Sequence, residues 1–332
     1  MIRKVLFLAF LLCPFIASGQ HTFSIVAVDT VTGQVGSAGA SCIDINNSYH
    51  INRINEIVPG KGAINAQANW DFTNLANAKQ RMELGDSPEE IIEWLKDNDS
   101  QNKPQRMQYG IADIDNDRPR ATAFTGTSAM DWKGHKVGHN YATQGNILIG
   151  KHVVDSIESK FLQATGSLPE RLMAALQGAN FAGADQRCLD EGVSSRSSFI
   201  RVALPTDTDG KYWLDLGVGE TPYGVEPIDE LQKKFDVWND TATHIFENIQ
   251  KKTFEAFILH NKKCGIITFE FSNATPDKLE LITFSGKVIH NQSISKLQTA
   301  KLDLNTFSNG FYFVNFYKNG IRIGTRKISL IQ

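Results

Sequence analysis

Thr22 and Ser24 stand two residues apart in the run Thr22-Phe23-Ser24-Ile25-Val26-Ala27. In a β-strand that alternation puts both hydroxyls on one face and the apolar side chains on the other. A threonine hydroxyl attacks a carbonyl only when a base takes its proton. A threonine that begins a chain carries such a base, because its own α-amine titrates near ~7.7–8.0. An internal threonine does not. What precedes Thr22 therefore matters, and residues 1–19 have the layout of a signal peptide: Arg3 and Lys4, an apolar run from Val5 to Ile16, then Ala17, Ser18 and Gly19. Ala17 and Gly19 direct the cut to leave Gln20 first, with His21 next; a cut one or two residues later moves the start toward Thr22. The plainer reading of both hydroxyls is a strand with one polar face.

Other residues offer chemistry of their own. Gln144-Gly145-Asn146 sets two carboxamides around a glycine at a strand end, where amide donors can meet an oxyanion or hold buried backbone groups. Gln67 and Asn69 offer similar donors. Asp185 and Arg187, one residue apart, can hold a carboxylate substrate or staple a loop. The run Ser194-Ser195-Arg196-Ser197-Ser198 reads as a solvated loop. His135 and His139 are four apart and each follows a glycine, Gly134 and Gly138, which places them on a loop without the glutamate of a zinc-protease motif. Asp113, Asp115 and Asp117 open like a calcium loop, but Arg118 and Phe124 stand where glycine and glutamate are needed, so they read as a strand-end turn. A third nucleophile reading gives Ser24 or Cys42 that role beside His21 or His135. No phosphate loop, dinucleotide fingerprint or serine-hydrolase elbow is present, and no cofactor is expected.

Elements to position these residues follow from periodicity. Strands fit Thr22–Val28 and Gln34–Ala40 as a hairpin, then Gly62–Gln67; helices fit Asn74–Leu84 and a second opened by Ser87-Pro88-Glu89-Glu90. Further strands fit Met107–Ala112, Ala121–Phe124 and Ala142–Leu148. Helices follow at Val153–Ala164 and after Ser167-Leu168-Pro169-Glu170, then a hairpin of Phe199–Leu204 with Tyr212–Leu216. Strands in batches with helix pairs between them indicate an α+β fold of antiparallel sheets covered by helices. Pro227 to about Lys252 reads as a helix or helix pair and then a linker. Beyond it Ser285-Gly286, Asn309-Gly310 and Asn319-Gly320 punctuate short alternating strands, a small all-β sandwich with no chemistry of its own. The expected domains are 20–238, a helical linker over 239–254, and 255–332.

Composition agrees with an exported globular protein: 332 residues, 41 % hydrophobic and 21 % charged, with a net charge of −2 that gives no basis for nucleic-acid binding. No later segment is long and apolar enough for a transmembrane helix. Cys13 lies in the signal segment, leaving Cys42, Cys188 and Cys264 in an oxidising compartment. Cys42 with Cys188 is the favoured bridge because both lie in the first domain; separate buried thiols are the alternative.

Two resemblances add to this. Residues 255–332 resemble the C-terminal sorting domain of the type IX (Por) secretion system of Gram-negative bacteria, through Leu281-Ile282-Thr283-Phe284-Ser285-Gly286-Lys287-Val288, Leu302-Asp303-Leu304, Asn309-Gly310-Phe311-Tyr312-Phe313-Val314 and Lys327-Ile328. That implies passage through the periplasm, handling by the type IX machinery, and release or display at the outer-membrane surface. The bland alternative is a β-module that binds carbohydrate or partners. Residues 22–238 resemble the family catalogued as domain of unknown function 1028. The matching segments include Thr22–Ala27, Gly33-Gln34-Val35-Gly36, Pro59-Gly60-Lys61-Gly62-Ala63 with Gln67, Ala123-Phe124-Thr125-Gly126, Trp132-Lys133-Gly134-His135, Gln144-Gly145-Asn146-Ile147-Leu148 and Gly183-Ala184-Asp185-Gln186-Arg187.

That family is commonly grouped with the N-terminal-nucleophile hydrolases, which implies a four-layer αββα sandwich. It further implies an amidohydrolase acting on a small amide or peptide-like substrate, with Thr22 as nucleophile and Ser24 as helper. Gln67, Gln144, Gly145 and Asn146 would stand near the oxyanion, and Asp185 with Arg187 would position the substrate. In many relatives the equivalent threonine follows the initiator methionine directly; here Gln20 and His21 stand between. If they remain, the chain reads instead as a catalytically silent binding module of the same fold on the cell surface.

Overall fold

The computed structural model describes residues 22–43, 51–253, 255–261, 266–272, 275–283, 287–294, 299–318 and 320–330. The signal segment with Cys13, Gln20 and His21, together with Cys264, Phe284-Ser285-Gly286 and Asn319, lies outside the described residues. The chain divides between Asp236 and Val237 into two compact units.

In the first unit, β1 (Phe23–Asp29) and β2 (Gln34–Ser41) form a tight antiparallel hairpin. Its connection turns on Gly33 in the left-handed region (φ 70°), and the Asp29 carboxylate accepts from Val31 N and Thr32 Oγ1. Next come β3 (Asn55–Val58) and β4 (Gly62–Ala68), helices α1 (Phe72–Leu84) and α2 (Pro88–Asp97), and a second hairpin of β5 (Met107–Asp115) and β6 (Arg118–Thr125). Asn116 and Asp117, at φ 49° and 61°, make its two-residue turn, and Asp113 pairs with Arg120. Then follow β7 (Gly134–Val137), β8 (Tyr141–Gly145), α3 (His152–Gln163), α4 (Leu168–Gln177), β9 (Ser197–Ala203) and β10 (Leu214–Val218). Helix α5 (Pro227–Thr253) is one continuous helix, where the sequence suggests a helix or helix pair and then a linker. Both capping boxes form as read, Ser87 with Glu90 and Ser167 with Glu170.

The strands make a six-stranded sheet, β10-β9-β2-β1-β8-β7, and a four-stranded sheet, β3-β4-β5-β6, antiparallel throughout. Helices α3 and α4 pack on the first sheet, α1 and α2 on the second, and β1, β2 and β8 face β4, β5 and β6. Each sheet is thus covered on both faces, which explains why β1 and β2 are buried almost from end to end instead of alternating. Val26, Val28, Val35, Ala142 and Ala203 from one sheet meet Ile57, Ala63 and Ala112 from the other. Ile64, Ala66, Met107, Tyr109 and Ile111 point the opposite way, onto Leu75, Met82, Ile91 and Leu95 of α1 and α2. The alternation therefore places Ser24, Gln67 and Gln108 in the layer between the sheets.

The turn after β4 is held by Asp71, the N-cap of α1, which accepts from Asn74 N (3.0 Å), Ser100 Oγ (2.7 Å) and Gln101 Nε2 (3.0 Å). Partial burial pushes the Asp71 carboxyl up, but these hydrogen bonds outweigh it and hold the pKa below the usual carboxylate value. Replacing Asp71 with alanine is expected to lower stability by about 1 kcal/mol at neutral pH. Because the folded pKa is depressed, that contribution is present above the unfolded pKa and vanishes as pH falls through the folded one. Urea titrations of both proteins at several pH values check this: the gap should close in acid.

The second unit contains β11 (Glu255–Asn261), β12 (Ile266–Ser272), β13 (Lys278–Thr283), β14 (Val288–Ser293), β15 (Thr299–Asp303), β16 (Gly310–Lys318) and β17 (Ile321–Leu330). Its two antiparallel sheets, β11-β12-β15 and β14-β13-β16-β17, share one core, centred on Phe269, Leu279, Leu281, Leu302, Val314 and Phe316.

Candidate functional site

Thr22 precedes β1, a strand paired on both sides, and is fully buried. Its backbone N–H donates to Asn146 Oδ1 (3.2 Å), and its carbonyl accepts from Asn146 N (3.1 Å) and Gln67 Nε2 (2.9 Å). Among the described residues its side-chain Oγ1 has no hydrogen-bond partner. Leaving a buried polar atom unpaired costs ~1–3 kcal/mol, and in this cluster Gln144 Oε1 shares that state.

Ser24, Gln67 and Gln108 are fully engaged. Ser24 Oγ donates to Gln67 Oε1 (2.7 Å) and accepts from Gln144 Nε2 (2.7 Å). Gln67 Nε2 also donates to Gln108 Oε1 (2.7 Å), and Gln108 Nε2 reaches Thr125 Oγ1 (2.8 Å) and Gly145 O (2.9 Å). Thr125 Oγ1 lies 2.8 Å from His135 Nδ1. Sheet register explains the chain of contacts: Ser24, Gln144 and His135 are successive cross-strand neighbours in one sheet, and Gln67, Gln108 and Thr125 in the other. The two rows face each other. Gly110 belongs where it is because a Cβ there would collide with the Gln144 carboxamide.

Asn146 owes its position to the residue that follows. Ile147 adopts φ 52°, a left-handed conformation that is strained for a β-branched residue by ~1–3 kcal/mol. That turn carries the chain away from β8, and Ile147 and Leu148 bond to Met130 O and Trp132 O on one side. On the other, Gln186 N donates to Ile147 O (2.9 Å), and Leu148 bridges Asp185. The Asp185 carboxylate is fully buried; it accepts from Arg187 Nε (2.9 Å) and Nη2 (2.6 Å), and from Cys42 N (3.0 Å). Cys42 and Cys188 form a disulfide with Cα atoms 5.8 Å apart. The Asp185–Arg187 pair thus staples the segments that shape the turn after Asn146.

The structure brings Thr22, Ser24, Gln67, Gln144 and Asn146 into one hydrogen-bonded cluster, with Gly145 O inside it and Asp185 and Arg187 beside it. It turns Asn69 toward Gln101. Three readings are corrected. Cys42 is bonded to Cys188 and so has no free thiol to act as a nucleophile. The run Ser194–Ser198 is no solvated loop: Ser194, Ser195, Ser197 and Ser198 are fully buried, with Ser194 Oγ on Glu226, Ser197 Oγ on Ser41 O and Ser198 Oγ on Pro227 O. His135 lies in β7, where cross-strand pairing overrides the flanking glycine, and not in a loop. Sequence reasoning also passed over Gln108 and Thr125. The available signal was Gln67, Gln108 and Gln144 each set among small or apolar strand residues, where a long carboxamide needs partners. Among the described residues, no cluster of three His, Cys, Asp or Glu could hold a metal ion.

Residues 22–231 match the model of a family of unknown function (DUF1028), and residues 262–330 match the secretion system C-terminal sorting domain. The chain belongs to the DUF1028 family and carries a sorting tail that marks it for export to the cell surface or beyond. Among solved structures it is similar to a Silicibacter pomeroyi protein of the same family, 22% identical with a TM-score of 0.51, over 65% of this chain and 88% of that one. Domains 3 and 4 of rat CD4 match at 8% identity over 67% and 77% of the two chains; their TM-score of 0.19 carries no argument about fold. No curated protein matches the chain. Among the described residues, no helix is long and apolar enough to cross a membrane.

Proposed function

We propose that this chain is an exported amide hydrolase of the N-terminal-nucleophile type, in which Thr22 becomes the first residue and attacks a small amide or peptide-like substrate. The stack of helix pair, sheet, sheet and helix pair is read as the four-layer αββα sandwich of that superfamily. The observation that carries the proposal is the Thr22 hydroxyl, which among the described residues has no hydrogen-bond partner, like the neighbouring Gln144 Oε1, in a cluster where Ser24 and Gln67 are fully engaged. A chain beginning at Thr22 would keep its nitrogen on Asn146 Oδ1, holding the amine beside its own hydroxyl with a lone pair to spare. Oγ1 bonds to the substrate carbonyl carbon, the α-amine takes the proton and passes it to the leaving amine, and water then hydrolyses the ester. Asn146 is the member of the Gln144–Asn146 turn that touches Thr22, and since its Oδ1 accepts from the Thr22 nitrogen, its side-chain Nδ2–H is the donor assigned to the developing oxyanion. Gln144 and Gln67 act through Ser24 and the Thr22 carbonyl as positioning residues.

A second reading, a catalytically silent binding module on the cell surface, is favoured by one observation: Thr22 is fully buried. N-terminal sequencing and intact mass of the mature protein, from medium and cell surface, decide between them. The expected start is Thr22. A start at Gln20 or His21 locks the amine in a peptide bond and puts the binding module first.

A further inference from the structure

Beside the β9–β10 pair lies a recess of ≈ 220 Å³ lined by Ile51, Asn52, Phe199, Asp215, Gly217 and Val218. Three of these, Ile51, Phe199 and Val218, are at least nine-tenths buried and back the recess from within the core, so its accessible walls are Asn52, Asp215 and the Gly217 backbone. Gly217 pairs directly with Phe199, and a Cβ added there would meet only Ser198 O, at 3.8 Å. The space over this strand glycine is open, although a glycine inside a strand weakens it by ~0.5–1 kcal/mol relative to alanine.

Two polar groups at the rim have unused capacity. Asp215 accepts from Arg201 Nε at Oδ1 (2.9 Å), and its Oδ2 makes no hydrogen bond among the described residues. The Asn52 side chain makes no hydrogen bond within the described residues, while its backbone carbonyl accepts from Arg201 Nη1 (3.3 Å). Arg201 already compensates the Asp215 charge, so the rim offers acceptors without demanding a cation.

We propose that this recess is a binding site for a small molecule with a ring-sized apolar body and an uncharged N–H or O–H donor. The body lies over Gly217 beside Val218, and the donor meets Asp215 Oδ2 or Asn52 Oδ1. At ≈ 220 Å³ the recess is below the ~300–1,000 Å³ of pockets for drug-sized ligands, which limits the occupant to about one ring system. The site also reaches the Thr22 cluster. A Cβ built on Gly39 would lie 2.8 Å from Phe199 Cε1 and 2.9 Å from Ser24 Cβ, so only the missing side chain of Gly39 separates the Phe199 ring from Ser24. The proposal stands on the recess alone and does not depend on hydrolysis at Thr22.

Titration of the full mature chain with phenol, followed by amide NMR shifts, tests it, with toluene as the donor-free control. Saturable phenol binding with shifts at Asn52 and Asp215–Val218 is expected, with toluene weaker. Gly217→Val should weaken phenol by at least about tenfold, and Asn52→Ala by about fivefold, the equivalent of one hydrogen bond of ~1 kcal/mol. Should Gly217→Val fail to fold, Gly217→Ala replaces it, and weaker phenol binding is again expected. Non-saturable shifts, or phenol binding unchanged in the glycine variant, overturn the proposal.

Discussion

Thr22→Ala, in a chain beginning at residue 22, is expected to lose amide hydrolysis by roughly four orders of magnitude, the scale on which removal of a nucleophile acts. Stability should scarcely move. The Thr22 hydroxyl has no partner to strand, and relief of its desolvation offsets the lost methyl packing, leaving a net change within about 1 kcal/mol. Ser24→Ala provides the contrast. Its hydroxyl is bonded to both Gln67 and Gln144, so its removal leaves two buried carboxamides short of a partner and should cost about 2 kcal/mol. Turnover on a panel of small amides, measured beside urea denaturation, separates the two roles. Wild-type turnover in Thr22→Ala would sink the nucleophile assignment.

Loss of the Cys42–Cys188 bridge is expected to have the largest effect on stability. It closes a loop of 146 residues, and the chain-entropy treatment gives about 5 kcal/mol for a loop of that size, at the upper end of what disulfides contribute. In a domain of this length that corresponds to a fall in melting temperature of roughly 10–15 °C. Paired replacement of both cysteines by alanine, compared with the oxidised protein by calorimetry, measures it. Asp185 should feel the loss as well, since its carboxylate is bonded to the backbone of Cys42 and it lies three residues from Cys188. A shift below about 1 kcal/mol would mean that the hydrogen bonds around Asp185 hold these segments by themselves.

Local signals in the chain were legible where one physical rule dominates. Ser87-Pro88-Glu89-Glu90 and Ser167-Leu168-Pro169-Glu170 announce helix starts because serine, proline and glutamate each satisfy a separate demand of a first turn. The β1–β2 hairpin is equally plain. Strand β3 is not, because Asn55-Glu56-Ile57-Val58 opens with two polar residues, and the Asn55 carboxamide is tolerated only because Ile64 O and Asn65 Oδ1 receive it. The buried serines escaped for the same reason: their partners Ser41, Glu226 and Pro227 lie far away in sequence. At the candidate site, Thr22, Gln144 and Asn146 could be singled out from residue type and strand position. That Gln144 serves Ser24 while Asn146 serves Thr22 follows from the β1–β8 register and the turn at Ile147, which no local pattern encodes.

The placement of β1 also governs timing. Its inner partner β2 follows at once, but its other neighbour, β8, pairs Phe23 with Gly145 across more than a hundred residues of intervening chain. Such distant pairings are slow to form because loop closure must precede the contacts that reward it. The bond ahead of Thr22 is therefore open to a peptidase while the nascent domain is unfinished, and shut once Asn146 closes over both the nitrogen and the carbonyl of Thr22. Under the proposed start at Thr22, maturation at that bond would be a race between trimming and folding, set by how long the protein lingers incomplete during export.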